Sequence, residues 1–455
     1  MTVPGDPAES VRRWLRTLGA PSLPPAAAPA SGCPHLDWAA CGAMALTGEA
    51  DGPPVLSPGP MTALLAETGT ALAQIAGRPI LLDPATILGA RAGAMNLTRR
   101  GRTSAGGATR LLRAADGWCA VTLSRPDDLE LVPAMLGRAD VTDPWEELTA
   151  AVRGAKASEF AGHVRQFGVP AAALPYEPPP VDVPWQVSTI APPNEDARPR
   201  GALVVDLSSL WAGPLCARLL GLAGARVVKV ESTRRPDGAR AGNRRFYDWL
   251  HAGHESVAVD FTLPEGRSAL AELVRAADVV IEASRPRALA QLGLAPERLE
   301  HRAGKVWVSI TGYGRSHPDR VAFGDDAAVA GGLVGRSADG DPVFCADAVA
   351  DPLTGVVAAL GVTGSLACGG GHLIDVSMRD IAAAFAASSL ADHGPHPVRR
   401  TAADEWVVEC QASGRTQEVL PPRAPTPEGE APAMGADTAR ILSRVAELGG
   451  RSSCR

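Results

Sequence analysis

The apolar positions in the second half of the chain alternate between the two-residue repeat of a strand and the 3.6-residue repeat of a helix. Strand-like segments follow one another after Gly201: GALVVDLS, ARVVKVE, SVAVDF, DVVIEAS and KVWVSITGYG. Helical segments such as AGPLCARLLGLAG and PEGRSALAELVRAA lie between them. Because strands separated by helices pair in parallel, this order predicts an α/β fold with a doubly wound, parallel, Rossmann-like sheet.

The first half of the chain predicts a less regular set of elements. MTALLAETGTALAQI has helical periodicity, PILLD and DGWCAVTL predict strands, and a further helical segment ends at Gly168. Residues 175–201, PYEPPPVDVPWQVSTIAPPNEDARPRG, contain so many prolines that they exclude a helix or a central strand. We therefore expect a linker at this place.

The ligand site of a doubly wound sheet lies beyond the carboxyl ends of its strands. In this chain those ends are Asp206-Leu207-Ser208, Glu231-Ser232, Asp260-Phe261-Thr262, Ala283-Ser284-Arg285 and Thr311-Gly312-Tyr313. We expect the site to be built from these turns.

VFCADAVADPLTG, residues 343–355, places Asp347 and Asp351 in an apolar run, where unpaired carboxylates are rare. Asp351 precedes Pro352 and an apolar helix, as an N-cap residue does. A carboxylate at a helix N-terminus is also a usable nucleophile, because backbone N–H groups hold it ionised and oriented. The residues alone leave both roles open. Asp347 is predicted to be a loop or strand-edge carboxylate that faces solvent.

Composition narrows the classes of function. The chain has 455 residues, of which 45% are hydrophobic and 21% charged, so we expect two or three globular domains. The formal net charge of −6 is unlike that of a nucleic-acid-binding protein. No apolar run of 18 residues predicts a membrane span, and the acidic start of the chain lacks the pattern of a secretion signal. We therefore expect a cytoplasmic chain that binds neither nucleic acid nor membrane.

The usual sequence motifs of nucleotide, metal and serine-nucleophile sites do not occur: GxxxxGK[ST], HExxH and GxSxG. The eight cysteines include no CxxC pair. The pairs His251/His254 and His393/His396 are more typical of solvated loops than of metal ligands. The sequence therefore predicts no metal and no permanently bound cofactor.

Three blocks between residues 200 and 380 form a specific pattern: VVDLSSLWAGPLCARLLGLAGARVVKVES, SVAVDFTLPEGRSALAELVRAADVVIEASRPRALAQLGL and VWVSITGYG. In residues and order they resemble the family III CoA-transferases of the CaiB–BaiF type, which include formyl-CoA transferases and α-methylacyl-CoA racemases. The resemblance implies the family III fold, in which a Rossmann-like domain is joined to a second, smaller α+β domain. It also implies coenzyme A or acyl-CoA as substrate.

The resemblance separates the two aspartates. The family's catalytic aspartate stands in a D-x-x-[ST/A]-G segment before an apolar helix, which here is DPLTG and falls on Asp351. The implied reaction starts when this carboxylate attacks the acyl-CoA thioester, giving an aspartyl anhydride and CoA thiolate. The thiolate then returns to form an aspartyl-CoA thioester, and an acceptor carboxylate takes over the acyl exchange.

The segment GRTSAGGATRLLRAADGWCAV, residues 101–121, resembles the glycine loop and first strand of the family's smaller domain. Gly106 and Gly107 would then stabilise the oxyanion of the anhydride stage, although a simple turn is an alternative. Because this segment precedes the Rossmann-like block, we expect a permuted domain order. The predicted regions are a small-domain-like region (1–174), a proline-rich linker (175–200), a Rossmann-like CoA-binding and catalytic domain (201–390) and a C-terminal extension (391–455).

The family's CoA-binding positions coincide with the strand-end turns. They are Ala212, Arg234, Arg235, Thr262, Ala283, Ser284 and Arg285. Two of them, Arg234 and Arg235, could pair with the 3′-phosphate or diphosphate of CoA, or could be solvated surface arginines.

Departures from the family pattern bear on the substrate. Ser209 and Trp211 replace a histidine and a glutamine of the formyl-CoA transferases, which suggests an acyl group bulkier or more apolar than formyl. Phe323 or Gly324 stands where the racemases have a histidine, and racemisation needs two acid/base groups. We therefore predict a CoA-transferase; the alternatives are a 2-methylacyl-CoA racemase and a non-catalytic CoA-binding homologue. The resemblance further implies an interlocked homodimer that acts on acyl-CoA and a carboxylic acid.

Overall fold

The computed structural model describes residues 6–20, 32–284, 286–388, 390 and 394–452, so that Arg285 and His393 lie outside the described residues. The α-helices are α1 (Pro7–Arg16), α2 (Pro34–Ala40), α3 (Met61–Ala76), α4 (Pro84–Met95), α5 (Pro126–Glu130), α6 (Val132–Leu136), α7 (Pro144–Val152), α8 (Ala157–Gln166), α9 (Ala212–Leu222), α10 (Arg244–His251), α11 (Pro264–Ala276), α12 (Pro286–Gln291), α13 (Gly324–Ala330), α14 (Ala350–Ala367), α15 (Met378–Ala387) and α16 (Thr438–Ser452). The strands are β1 (Thr109–Arg113), β2 (Trp118–Thr122), β3 (Ala171–Ala173), β4 (Trp185–Thr189), β5 (Leu203–Asp206), β6 (Arg226–Ser232), β7 (Glu255–Val259), β8 (Val279–Glu282), β9 (Val306–Thr311), β10 (Gly335–Arg336), β11 (Pro342–Val343), β12 (His372–Ser377), β13 (Val398–Arg400), β14 (Trp406–Cys410) and β15 (Arg415–Glu418).

The main sheet has seven strands in the order β4-β12-β9-β8-β5-β6-β7. The strands from β12 to β7 pair in parallel, and β4 runs antiparallel to β12 at one edge. The chain moves outward from β5 in both directions, which confirms the predicted doubly wound α/β fold. The proline-rich segment supplies β4, and proline-rich sequence is tolerated at an edge because an edge strand need not donate on both sides.

Helices cover both faces of this sheet. Val204 of β5 belongs to the same apolar cluster as Leu215 of α9 and Leu360 of α14. Its neighbour Val205 packs in a different cluster with Leu270 of α11. Because successive side chains of a strand point to opposite faces, a strand that is buried on both sides has a continuous apolar sequence.

Helix α14 lies at the centre of the larger cluster and contacts α3, α9 and α15. Among the described residues, it is the one helix that is long and apolar enough to cross a membrane, yet 89% of its 18 residues are buried inside the protein. A helix that is apolar on all sides is expected where other elements surround it.

The first helices of the chain pack on the main sheet rather than on the small one. Trp14 of α1 and Leu64 of α3 belong to the cluster around α14. The antiparallel sheet β1-β2-β3 covers a separate cluster, which includes Leu148 of α7 and Phe160 of α8. The domain boundaries given above stay a prediction.

The segment PILLD was predicted to be a strand, and that prediction is wrong. Residues 79–83 form no strand in the described structure, and Asp83 instead precedes α4. Its carboxylate accepts hydrogen bonds from the backbone N–H groups of Ala85 (3.2 Å) and Thr86 (3.3 Å), with Pro84 in the first turn. An aspartate followed by proline is a strong helix start, and the short apolar run has no neighbouring strand with which to pair.

Candidate active site

Asp351 is the second residue of α14 and comes directly after the loop that follows β11. The N-cap residue of this helix is Val349, so the N-cap role considered for Asp351 is wrong. Its carboxylate instead accepts a hydrogen bond from the backbone N–H of Gly324, the first residue of α13, at 3.1 Å. The carboxylate is therefore held between the starts of two helices, where backbone dipoles favour negative charge.

Gly324 must be a glycine for this contact to form. A Cβ atom at this position would lie 2.3 Å from Asp351 Oδ2 and 2.3 Å from the Ala348 carbonyl oxygen. Such distances are far below van der Waals contact, so any side chain would push the carboxylate away from its N–H donor.

Asp347 is buried, contrary to the prediction that it faces solvent. It is 1% exposed, and its two carboxylate oxygens accept hydrogen bonds from Arg91 Nε (2.8 Å) and Arg91 Nη2 (2.5 Å). A carboxylate at this depth needs a charged partner, and a bidentate arginine supplies one. Arg91 stands 256 positions earlier in the chain, which is why the local sequence gave no sign of the pair.

Arg91 is a site residue that the sequence analysis missed. It is placed by α4, in the run ILGARAGAM, and its guanidinium carbon lies 5.3 Å from the centre of the Trp211 ring. Burial lowers the pKa of Arg91, but the charges of Asp347, Asp325 and Asp351 outweigh that effect and raise it overall. A lone cation in an otherwise apolar helix was the signal that could have pointed to it.

Two further carboxyl groups stand at the start of α13. Asp325 Oδ1 accepts a hydrogen bond from the Ala348 N–H at 3.0 Å, and burial together with the charge of Asp347 raises the pKa of Asp325 to about 6. Asp326 is fully buried; its Oδ1 accepts from the Phe323 N–H (2.9 Å) and from the Thr122 hydroxyl (3.1 Å). Asp326 thus joins α13 to the small sheet.

The ionisation of Asp351 is the main electrostatic property of the site. Burial raises the pKa of Asp351 to about 7; Arg91 and the Gly324 N–H oppose the rise, while Asp325 and Asp347 add to it. A carboxylate with a raised pKa is a stronger base and nucleophile than an ordinary one, and at neutral pH part of it is still ionised.

The backbone around the site adopts costly conformations. Ala346 (φ 53°) and Ala348 (φ 43°) flank Asp347, and Leu210 (φ 72°) precedes Trp211. Left-handed backbone costs a residue with a side chain about 1–2 kcal/mol. The Ala346 N–H donates to the Thr47 hydroxyl at 3.0 Å, one of the contacts that hold this loop in place. Strain of this kind is concentrated in segments that position functional groups.

The glycine loop predicted at Gly106 and Gly107 lies beside this cluster. A Cβ atom on Gly106 would lie 3.3 Å from Arg91 Nη2, so the loop approaches the arginine that pairs with Asp347. The N–H of Gly107 donates to the Ser104 carbonyl at 2.8 Å and closes a turn. The structure thus brings Gly106 to the surroundings of Asp351, while Gly107 serves the turn itself.

The expected CoA-binding residues lie at the carboxyl edge of the sheet, in separate places. Ala212 is buried at the start of α9. Its carbonyl oxygen would lie 2.6 Å from a Cβ atom placed on Gly355 of α14. Arg234 Nε donates to Asp260 Oδ2 at 2.7 Å, and the Thr262 hydroxyl donates to Asp260 Oδ1 at 2.6 Å.

Three of these residues have fewer contacts. Arg235 is exposed, Ala283 is exposed at the end of β8, and Ser284 is partly exposed beside it. Arg285, as stated above, lies outside the described residues. The structure brings Arg234 and Thr262 together through Asp260, and it brings Ala212 to the helix that carries Asp351.

A cavity of about 380 Å³ opens elsewhere on the same edge. It is lined by the linker residues 180–186, by Tyr313 after β9 and by Arg379 after β12. The predicted turn Thr311-Gly312-Tyr313 therefore borders a cavity, and Asp351 is not among the residues that line it.

Comparison with known proteins found a family match for the part of the chain that contains Asp351. Residues 200–414 match the sequence profile of CoA-transferase family III. We refer to these residues, which are similar to CoA-transferase family III, as the family III region. The family III region thus spans the parallel strands β5 to β9 and β12, helix α14, and β13 and β14 of the antiparallel C-terminal sheet β13-β14-β15.

Two curated relatives share the family III region. A succinyl-CoA--D-citramalate CoA-transferase of Chloroflexus aurantiacus is 28% identical over 280 residues, which are 57% of this chain and 65% of the relative. A succinate--glutarate CoA-transferase of Agrobacterium fabrum is 32% identical over 233 residues, 46% of this chain and 58% of the relative. The chain therefore spans less than two thirds of the length of these relatives. The crystal structure of a CAIB/BAIF family protein from Brucella suis matches 47% of this chain and 65% of its own, with 24% identity and a TM-score of 0.42.

Proposed function

We propose that the protein is a CoA-transferase, which moves CoA between an acyl-CoA and a carboxylic acid with Asp351 as the nucleophile. The observation that carries the proposal is the setting of Asp351 within the family III region. Its carboxylate is anchored at the start of α14 by the Gly324 N–H, and its pKa is raised to about 7. Relatives over this region are named as CoA-transferases.

The first step uses the ionised carboxylate. An Asp351 oxygen attacks the thioester carbon, the C–S bond breaks, and the products are an aspartyl anhydride and CoA thiolate. Negative charge that develops on the carbonyl oxygen needs an N–H donor. The N–H of Gly107 already closes its turn, so we assign this role to the glycine loop at Gly106.

The second half returns CoA to the acceptor. The thiolate attacks the Asp351 side of the anhydride, which releases the donor acid and leaves an aspartyl-CoA thioester. The acceptor carboxylate attacks that thioester, and the thiolate then attacks the acceptor carbonyl of the new anhydride. This restores the Asp351 carboxylate and gives the new acyl-CoA, so that every bond broken is matched by a bond formed.

A racemase is the second function that we considered, and the geometry does not favour it. Racemisation requires a second acid/base group opposite the first. Phe323 or Gly324 stands where the racemases have a histidine; the phenylalanine side chain carries no acid/base group, and Gly324 leaves no room for a side chain. Exchange of solvent deuterium into the α-carbon of an acyl-CoA, at the rate of turnover, would support the racemase and contradict the transferase.

Hydroxylamine trapping tests the proposed function. The protein is incubated with succinyl-CoA and hydroxylamine, and the hydroxamate on the Asp351 peptide is measured by mass spectrometry. We expect trapping in the native protein and a loss of roughly 10³-fold or more in Asp351→Asn. Asp339→Asn, in the exposed turn between β10 and β11, is the matched control and should trap normally. Trapping or exchange that persists in Asp351→Asn would exclude this nucleophile, and a native protein that neither traps nor exchanges would be a non-catalytic homologue.

The acceptor and the assembly belong to the same proposal. The Trp211 ring next to Arg91 gives the site an apolar wall where the formyl-CoA transferases have a glutamine, which supports an acyl group more apolar than formyl. We expect exchange between succinyl-CoA and glutarate or citramalate to exceed exchange with formate, measured by separation of the CoA esters.

We also propose, from the family resemblance, a cytoplasmic homodimer with permuted domain order. Light scattering of the purified chain measures its mass and so tests the dimer.

A further inference from the structure

Soft metal-binding side chains from both ends of the chain meet at the C-terminal sheet. Cys33 precedes α2, His396 precedes β13, and Cys410 ends β14. Cys33 Sγ lies 3.1 Å from His396 Nε2, and the sulfur and nitrogen atoms of the three residues all lie within 4.8 Å of one another. Residues 363 positions apart in the sequence thus offer two sulfurs and an imidazole nitrogen to one point.

His35 adds a second imidazole. Its ring centre lies 4.5 Å from that of His396, and the two rings are tilted at 66°. In a tetrahedral zinc site, with Zn–S near 2.3 Å and Zn–N near 2.0–2.1 Å, the ligand atoms are separated by ~3.3–3.8 Å. The ligand atoms of Cys33, His396 and Cys410, all within 4.8 Å of one another, lie near this spacing, and His35 would complete the set by turning a ring nitrogen toward them.

The setting differs from that of the other core cysteines. Cys33 is 2% exposed and Cys410 is fully buried, and both lie close to an imidazole. Among the described residues, these are the cysteines that form a group of three or more potential ligands with a histidine. Cys41, for comparison, donates its S–H to the Trp38 carbonyl oxygen at 3.2 Å within one helix, as an ordinary core thiol does.

We propose that Cys33, His35, His396 and Cys410 form a structural Zn²⁺ site. Two thiolates and two imidazoles are the donor set of many structural zinc sites, and zinc accepts the tetrahedral arrangement without redox change. Zinc binds in place of the two thiol protons, which pass to solvent, so that two sulfurs gain a metal bond and the site carries no net charge.

The site would join the N-terminal helical layer to the C-terminal sheet. Helix α2 packs on β14 and β15, and the Leu420 N–H donates to the Ala39 carbonyl at 3.0 Å. Val408 of β14 is buried in the same apolar cluster as Trp38 of α2, whereas the short strands β13 and β15 are largely exposed. A metal at this contact would supply stability that a sheet of this size lacks. The proposal does not depend on the transferase activity, because none of its ligands belongs to the surroundings of Asp351.

Metal analysis of the full-length chain tests the proposal. The protein is purified with reductant and without chelator, and zinc is measured per chain by inductively coupled plasma mass spectrometry. We expect about one zinc per chain in the native protein and near-zero occupancy in Cys33→Ser and Cys410→Ser. Cys368→Ser, a partly exposed cysteine outside the group, is the matched control and should keep its zinc.

Cobalt substitution adds a readout that does not depend on stability. Co²⁺ at this site should give the visible d–d bands of a tetrahedral ion and a thiolate-to-cobalt charge-transfer band, and the latter should weaken in either cysteine variant. His35→Gln and His396→Gln should lower the affinity for zinc about 10–100-fold. A native chain that is reduced and folded but contains no stoichiometric zinc would overturn the proposal. Mass-spectrometric detection of a Cys33–Cys410 disulfide in freshly isolated protein would also overturn it.

Discussion

Asp347 and Asp351 stand four positions apart in one apolar segment, and their neighbours give them different chemistry. Asp347 is neutralised by a bidentate ion pair with Arg91. Asp351 has one backbone N–H donor and lies in the field of that pair. An ion-paired carboxylate is a poor nucleophile, whereas one with a raised pKa attacks carbonyl carbon more readily. The ion pair thus gives Asp347 a structural role, and we propose the nucleophilic role for Asp351 alone.

The pH dependence of acyl-enzyme formation follows from the ionisation of Asp351. Its reactive form is the anion and its pKa is raised to about 7, so the trapping rate should rise with pH and level off above about pH 8. Arg91 lowers this pKa, so Arg91→Met should move the midpoint upward, by on the order of one pH unit. Arg91→Lys keeps the charge and should restore a profile close to the native one. Single-turnover trapping across pH 5–9 measures this effect, and an unchanged midpoint in Arg91→Met would show that another group titrates.

Gly324→Ala tests the backbone contact at Asp351. The new Cβ would collide with Asp351 Oδ2 and Ala348 O, so we expect the trapping rate to fall roughly 10²-fold while the far-ultraviolet circular dichroism stays native. Gly154→Ala is the matched control, because no atom lies within 4 Å of its new Cβ and its φ is ordinary. If Gly324→Ala reacts at the native rate, the close approach has no catalytic role.

At the scale of elements, the packing of α14 against α9 determines where Asp351 lies. A Cβ on Gly355 would lie 2.6 Å from the Ala212 carbonyl oxygen and 2.8 Å from Leu215 Cβ, so the two helices are in contact through their backbones. The glycine of the DPLTG segment therefore has a packing function next to the proposed nucleophile. The sequence predicted the helix and its aspartate but did not indicate this contact between the two helices.

Two glycines of α14 form a matched pair that tests the contact. Gly355→Ala should lower the free energy of unfolding by about 1–3 kcal/mol and slow acyl transfer, because the helices must separate. Gly361→Ala meets Trp185 at 3.4 Å, an ordinary contact, and should be neutral or stabilise by up to about 1 kcal/mol through helix propensity. Chemical denaturation of both variants measures the difference; equal effects would mean that α9 and α14 are not closely packed in solution.

At the scale of the whole molecule, the N-terminal helices and the proline-rich segment are part of the main core. Trp14 of α1 is 1% exposed and packs against Trp185 of β4 (6.3 Å between ring centres) and Phe385 of α15 (6.4 Å). Its indole N–H donates to the Asp182 carbonyl at 3.2 Å. One side chain thus fastens the first helix to the edge strand of the sheet that carries the site.

Removal of this side chain should destabilise the molecule far from Asp351. We expect Trp14→Ala to cost about 3–5 kcal/mol and to lower Tm by several degrees, because it leaves a large cavity among β4, α14 and α15. Tyr176→Ala removes an aromatic that is 97% exposed and should change the free energy of unfolding by less than about 0.5 kcal/mol. Differential scanning calorimetry compares the two variants, and a native Tm in Trp14→Ala would show that α1 is not part of the folding unit.

The sequence by itself determined the features that depend on local order. Strand and helix periods predicted the doubly wound sheet, since they are read over a few neighbouring residues. The resemblance of DPLTG to the family's motif, rather than the local pattern, put forward Asp351 as the nucleophile. The tertiary structure alone decided which charges surround that carboxylate. Arg91 reaches Asp347 from 256 positions away, and Cys33 reaches His396 from 363. Such pairs form only when elements that are distant in the sequence pack together. A buried charge in the sequence indicates that a partner is required, but not where in the chain that partner lies.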